Sequence, residues 1–563
     1  MQRRQFIADV LTEKVPPKAI PAEQFQNQKV PDHLDLGTGS IVNYTGPWGE
    51  TQVKHLLRRT LCGFSRTDID FFKAMSMSDA VDYIMNIPAT APDPPVNGYN
   101  TPTLTDPDIP AGATWVNGPD NNDFAAQRKA SLYAWNMQLM LAPDRHIREK
   151  MTLFLHNHFA TEVESVASPI IAYNHHKMLR DNCLGNFKTL VKSVTIDVAM
   201  LIYLNGYVNT KTAPDENYAR ELMELFTLGK SAESQYTEDD VKAAARVLTG
   251  WRINYAALSS FFNPTDHDQT NKTFSSFFNN TVITGKTSFN GALETDDLIN
   301  MIFAKDDVVA RHVVRKLYRT FVYYVIDSNI ENNIIIPLAN DFKQNWELKP
   351  LVTALLKSEH FYDSNNMGCN IKSPIDVMTS FAKNFKLEFP STPVEDVQAA
   401  YYMMWAAASV TGQTWGNPPN VAGWPAYYQT PQYYQLWLNS DTLPKRIQYT
   451  VALMYIGLPY GRAGKKLQVD LIAFAQQFSD PSDPNKLIQE CIDLLYAMDI
   501  STTQKTSLKQ STLLFGQTND VYWTNAWNDY LANPTDTIKK TTVINCLGMM
   551  LKYLLDLAEN QLS

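Results

Sequence analysis

The sequence predicts a mainly α protein: a large multi-helix domain with long irregular loops and at most a small β excursion. Three observations carry this. Apolar residues recur at helical spacing from Phe124 to about Trp251, and again from Leu298 onward. Helix start signals precede such runs, as in Ser65-Arg-Thr-Asp68 and Thr237-Glu-Asp-Asp240. There is no βαβ rhythm, fixed-period repeat or glycine-rich phosphate loop.

The chain has 563 residues, 44% of them hydrophobic and 19% charged, enough for a large core. Residues 1–43 are Pro-rich without helical period and read as an extended N-terminal arm. A main helical domain is expected over 53–443, with a helical C-terminal extension over 444–563 packed on it. Ile87 to Asn122 is rich in Pro, Asp, Asn and Gly and reads as a long irregular loop. Asp181 to Asn205 reads as helix, and the helix capped by Thr237 is expected to run to Trp251. Phe261 to Leu293 changes to Asn, Thr, Ser, Phe and Gly, which marks a loop or a small β excursion. Gln413 to Tyr434 reads as an ordered irregular segment.

The formal net charge of −9 argues against a nucleic-acid partner, which leaves a basic footprint. No stretch approaches the roughly 18 apolar residues of a membrane span. Met1-Gln-Arg-Arg-Gln-Phe-Ile7 resembles a twin-arginine export signal, but Asp9, Glu13, Lys14, Pro16 and Pro17 interrupt the apolar run that should follow. Five scattered cysteines offer no close metal-ligand spacing and read as buried thiols.

The densest charge pattern is Asp215 to Gly229, read as one helix capped by Thr212 or Asp215 and stopped by Gly229. Asn217, Arg220, Glu221 and Glu224 share about a third of its circumference, while Tyr218, Leu222, Leu225 and Phe226 face a core. Glu221 and Glu224 can reach one site at i, i+3. Such a strip suits a metal ion, a proton relay or an ion-pair network. His158 falls on an apolar face with Ile147, Met151, Phe154, Leu155 and Phe159; it reads as a buried ligand or as a core histidine. His156 lies about 160° away on a regular helix, so the two cannot share an ion there. Asp266-His267-Asp268 lies in irregular sequence, where functional residues are often displayed. Trp415, Trp424, Tyr427 and Tyr428 read either as a plug on a helical core or as a surface that stacks on sugars.

Together these segments resemble the bacterial family called domain of unknown function 1800. The residues that carry the likeness include His55-Leu-Leu-Arg-Arg59, Arg148-Glu-Lys-Met with His156-Asn-His-Phe159, and Asn217 to Gly229. Arg246-Val-Leu-Thr-Gly-Trp251, His267-Asp268, Lys316-Leu-Tyr-Arg-Thr-Phe-Val322 and Pro418-Pro-Asn-Val-Ala-Gly-Trp-Pro425 continue it. The resemblance implies a periplasmic or secreted protein and a partner from a sulfatase-like family, number 1501. Phe226 stands where the family pattern carries His.

Two functional expectations stand side by side. One is an enzyme, hydrolase or oxidoreductase, acting on cell-surface or secreted polymers. In it His158, Glu221, Glu224 and Asp268 hold a divalent metal ion, while Arg220 and His267 act catalytically. The other is a non-catalytic scaffold or export partner, with the arm and the loop from Ile87 to Asn122 as contacts. Glycan binding through the Trp-rich segment is a third.

Overall fold

The computed structural model describes residues 40–461 and 464–563. Within the predicted arm, residues 1–39 lie outside the described residues. Its end runs beside 357–360: Asn43 bridges Ser358, and Glu359 donates its amide to Val42 O at 2.8 Å.

The described residues form one compact, mainly helical unit. The helices that place the features discussed below are numbered in chain order. They are α1 (Glu50–Thr60), α2 (Ala125–Leu141), α3 (Arg148–His158), α4 (Pro169–Asp181) and α5 (Asn217–Glu221). Next come α6 (Glu238–Val247), α7 (Leu293–Phe303), α8 (Asp306–Phe321), α9 (Pro374–Asn384), α10 (Val394–Val410), α11 (Thr442–Tyr455) and α12 (Thr537–Asp556). Helices α2 and α10 lie side by side, locked by Tyr133 stacked on Trp405 with ring centroids 4.3 Å apart. Helix α11 runs through position 443 and packs on α12, so the expected main domain and extension join inside a helix.

Among the described residues there are three two-stranded antiparallel sheets. Two of them, β1 (Trp251–Asn254) with β2 (Ser259–Phe262) and β3 (Lys272–Thr273) with β4 (Val282–Ile283), make the β excursion. The third pairs β5 (Leu458–Pro459) with β6 (Lys466–Leu467). No described helix is long and apolar enough to cross a membrane.

Two boundaries differ from the sequence reading. The stretch from Asp181 to Asn205 is broken, because Asn186 and Asp197 accept amide hydrogens from Thr189 and Met200 and start new helices. Helix α6 stops at Val247, and Trp251 already pairs with Phe262 in β1. The long loop is pinned rather than loose. Asp106 meets Arg128 at 2.9 Å with both side chains fully buried, and Trp115 beside them is buried.

Candidate functional site

The segment Leu222–Thr227 is a π-helix continuing α5. Asp215 caps the start through Asn217 N at 2.9 Å, and Gly229 ends it with φ +77°. The wide turn sends Leu228 N and Gly229 N back to Met223 O at 2.9 and 3.0 Å. The carbonyls of Leu225 and Phe226 are thereby left for side chains. His158 Nε2 donates to Phe226 O at 3.0 Å. His312 Nε2 and Lys316 Nζ, one turn apart on α8, each donate to Leu225 O at 2.9 Å. Lys316 also donates to His158 Nδ1 at 3.3 Å. Basic groups at a helix C-terminus satisfy its orphan carbonyls and oppose its dipole. Burial, then Lys316 and His312, push His158 well below the usual imidazole range; burial and Arg319 bring Lys316 down to about 7.

The charged strip does not join this cluster. Arg220 forms a fork with Glu238 at 2.8 and 2.7 Å and meets Glu216 at 2.9 Å, stapling α5 to the start of α6. Glu224 meets exposed Lys230 at 3.1 Å. Glu221 is half-buried and makes no hydrogen bond within the described residues; burial, then Glu224, raise its proton affinity.

His267 and Asp268 belong to a third network. Glu294 on α7 is fully buried and accepts from His267 Nε2 at 3.0 Å and Lys272 Nζ at 2.5 Å. Asp268 meets Arg246 at 2.7 Å. Burial raises its carboxyl, but donors from Arg246 and Thr270 outweigh this and hold it at about 2. The expected metal set is therefore spread over three networks: His158 caps the π-helix, Glu221 and Glu224 face outward, and Asp268 pairs with an arginine. Among the described residues no group of three or more His, Cys, Asp or Glu is arranged to hold a metal ion. Cations that the helical projection did not place account for two of the carboxylates: Arg246 takes Asp268 and Lys230 takes Glu224.

Helix α3 is regular to His158, so His156 and His158 point apart, as expected from their spacing. His156 is buried against Trp415, Trp424 and His176, with ring centroids 5.8, 5.4 and 4.5 Å away. Its Nε2 accepts from Gly416 N at 3.2 Å. Gly423, at φ +89°, sits where a Cβ would fall 2.3 Å from Asn157 Oδ1, the acceptor for Trp424 N. Trp415 and Trp424 are 1% and 2% exposed, which makes them a plug over the end of α3 rather than a sugar platform.

The sequence reading missed a cavity where α1, α3, α8, α9 and the aromatic segment meet. Arg58, Arg59, Lys150 and Arg319 line it, together with Asp376, which pairs with Lys150, and the last residue, Ser563. Its aromatic wall includes Tyr324, Tyr427, Tyr433, Tyr434 and Trp437.

A family model described as a protein of unknown function, DUF1800, matches residues 55–559. The chain belongs to the DUF1800 family. No curated protein matches it, and no solved structure does.

Segments that carry the DUF1800 likeness converge on this cavity from three places in the chain. Arg58 and Arg59 come from the His55–Arg59 segment, Lys150 from the segment that starts at Arg148, and Arg319 with Thr320 from Lys316–Val322. Ala426, next to the Gly-Trp-Pro425 block, closes one side. Lys372 and Arg446 stand directly behind: Arg446 donates to Lys372 O at 2.9 Å and to Trp437 O at 3.2 Å. These cations are desolvated. Burial, then Arg59, lower Arg58 to about 9; burial alone is the main cause that brings Lys372 to about 7 and Arg446 to about 10. Burial lowers Arg319 as well. The Arg59 Nε is buried without an acceptor among the described residues. The signal open to a sequence reader was the Arg-Arg pair and the Arg of Leu-Tyr-Arg-Thr, but nothing in their spacing brings them together.

Proposed function

We propose that this DUF1800 protein is a ligand-binding protein whose site is the cationic, tyrosine-walled cavity, and that its ligand is anionic. The observation that carries the reading is the excess of cationic over anionic side chains in a part-buried cavity. Four cationic side chains line the cavity and two more stand behind it, against one side-chain carboxylate, Asp376, and the last residue, Ser563; Arg58 and Arg59 also donate to the Tyr496 and Asn366 carbonyls. Burying cations without counter-ions is costly, and an anionic ligand lowers that cost. Turnover of the ligand would make the protein an enzyme; simple retention would make it a carrier or scaffold.

The test is thermal unfolding of the full chain against simple anions (acetate, succinate, phosphate, sulfate, nitrate) at constant ionic strength. The reading expects at least one class to raise the midpoint in a saturable way. Midpoints that follow ionic strength alone, whatever the anion, would reject it.

A divalent metal ion keeps a second, narrower place. The Glu221 carboxylate has no hydrogen-bond partner among the described residues, and its proton affinity is raised by burial and by Glu224, a repulsion that a cation between them would relieve. Calorimetric titration with Mn²⁺, Zn²⁺ and Ca²⁺, repeated on Glu221→Gln, decides it: heat that persists unchanged in the variant removes this site. A periplasmic or secreted location and a sulfatase-like partner remain implied by the family resemblance. Fractionation and co-purification from the native cell test both.

A further inference from the structure

We infer that the cavity takes one tetrahedral oxyanion in the form of a monoester, phosphate or sulfate, whose ring rests on the tyrosines at the mouth. This rests on the anionic-ligand reading above.

Size comes first. The water-accessible space is about 60 Å³. At roughly 10–15 Å³ for each water, that is room for about four to six waters or one tetrahedral group, and not for a polymer chain. An extended polyanion would need an open groove instead.

Donors come second. Arg319 uses only Nε, toward Tyr324 O at 3.3 Å, which leaves both terminal nitrogens without an acceptor among the described residues. Lys150 Nζ has Asp376 as its partner and donors to spare. A planar guanidinium fork beside an ammonium is the pairing that matches two oxygens of a phosphate or sulfate. A carboxylate could meet the fork but would leave the ammonium unused.

The mouth comes third. Arg319 lies over the Tyr433 ring at 5.2 Å. Tyr433 is held at φ 46°, a conformation unusual for a bulky residue. That backbone presents its ring beside Tyr324 and Tyr434, with Tyr324 centroids 5.4 and 4.9 Å from the two. Tyr433 and Tyr434 are part-exposed. A ring carried by the ester oxygen would meet this face as the oxyanion reaches Arg319.

The experiment is isothermal titration of the full chain with phenyl phosphate, phenyl sulfate, inorganic phosphate, inorganic sulfate and benzoate. We expect at least one phenyl ester to bind ten-fold or more tightly than its inorganic ion, and benzoate to bind more weakly than either. The phosphate and sulfate arms separate the two sources. Arg319→Gln should weaken esters and inorganic ions together by ten-fold or more. Tyr433→Ala should weaken the esters several-fold and leave the inorganic ions unchanged. Arg319→Lys gives a second reading should Arg319→Gln not fold, with weakened binding expected from the lost fork. Benzoate binding as tightly as the esters would overturn the ester inference and leave the anionic reading standing. No binding by any anion would end both. Ester affinity unchanged in the Arg319 variants would place the site elsewhere and overturn the inference.

Discussion

His158, near the end of one helix, donates from Nε2 to the main-chain carbonyl of Phe226 in a π-helix 68 residues further on, at 3.0 Å. That single bond decides what the histidine does. A ring nitrogen committed to a carbonyl and a second one facing the Lys316 ammonium leave no lone pair for a metal. His158, His312 and Lys316 act as a three-part cap on one helix end.

Removing the cap should cost stability. His158→Ala leaves the Phe226 carbonyl buried without a donor and opens a void. We expect a loss of about 3 kcal/mol, from an unsatisfied group of about 1–3 kcal/mol plus the cavity. Urea unfolding at pH 8 measures it. A change below about 0.5 kcal/mol would show that the cap is not structural.

The pH dependence follows from the buried bases. Burial and nearby positive groups hold His156 and His312 at about 3, against 6.5 for the free side chain. Below pH 6.5 the unfolded chain takes protons that the folded one refuses, so stability is lost as pH falls from 6.5 toward 3. Lys316 and Lys372 sit at about 7 folded against 10.5 unfolded. Their unfavourable contribution is complete below pH 7 and fades as pH rises to 10.5. The midpoint should therefore climb from pH 5 to pH 9, and Lys316→Met should flatten the upper half of that climb.

Glu294 and Glu221 make a contrast. Glu294 is fully buried with Lys272 and His267 on it, so Glu294→Gln strands a buried ammonium and should cost about 3–5 kcal/mol. The Glu221 carboxylate has no hydrogen-bond partner among the described residues, so Glu221→Gln should change stability by no more than about 0.5 kcal/mol. Equal losses for the two variants would contradict the assignment of networks.

The helices were legible because their cause is local. Ser65 and Thr237 cap where their sequence spacing says, and His156 and His158 face apart on a regular helix as the 100° step requires. The polar networks were not legible, because their partners are distant in sequence. Asp268 finds Arg246 across a hairpin, and Arg220 turns to Glu238 rather than to its neighbours Glu221 and Glu224. A helical projection orders residues on one element and says nothing of the next. The cavity is the extreme case. Arg58 and Tyr433 line one space from distant parts of the chain, and nothing in their sequence spacing brings them there.

Gly423 ties the end of α3 to the plug. Gly423→Ala forces a φ of +89° on an L side chain and drives its Cβ into Asn157, 2.3 Å away. A loss of about 1–3 kcal/mol is expected from the backbone alone. Trp415 and Trp424 should then become accessible to an iodide quencher, which they are not while 1% and 2% exposed.

The central claim is that the cavity, and not the strip of carboxylates on α5, is the ligand site. Crystals of the full chain soaked in tungstate, a tetrahedral oxyanion with a strong anomalous signal, test it most directly. The account predicts an anomalous peak between Arg319 and Lys150. A peak elsewhere with an empty cavity, or no peak at a concentration that saturates phosphate binding, would contradict it.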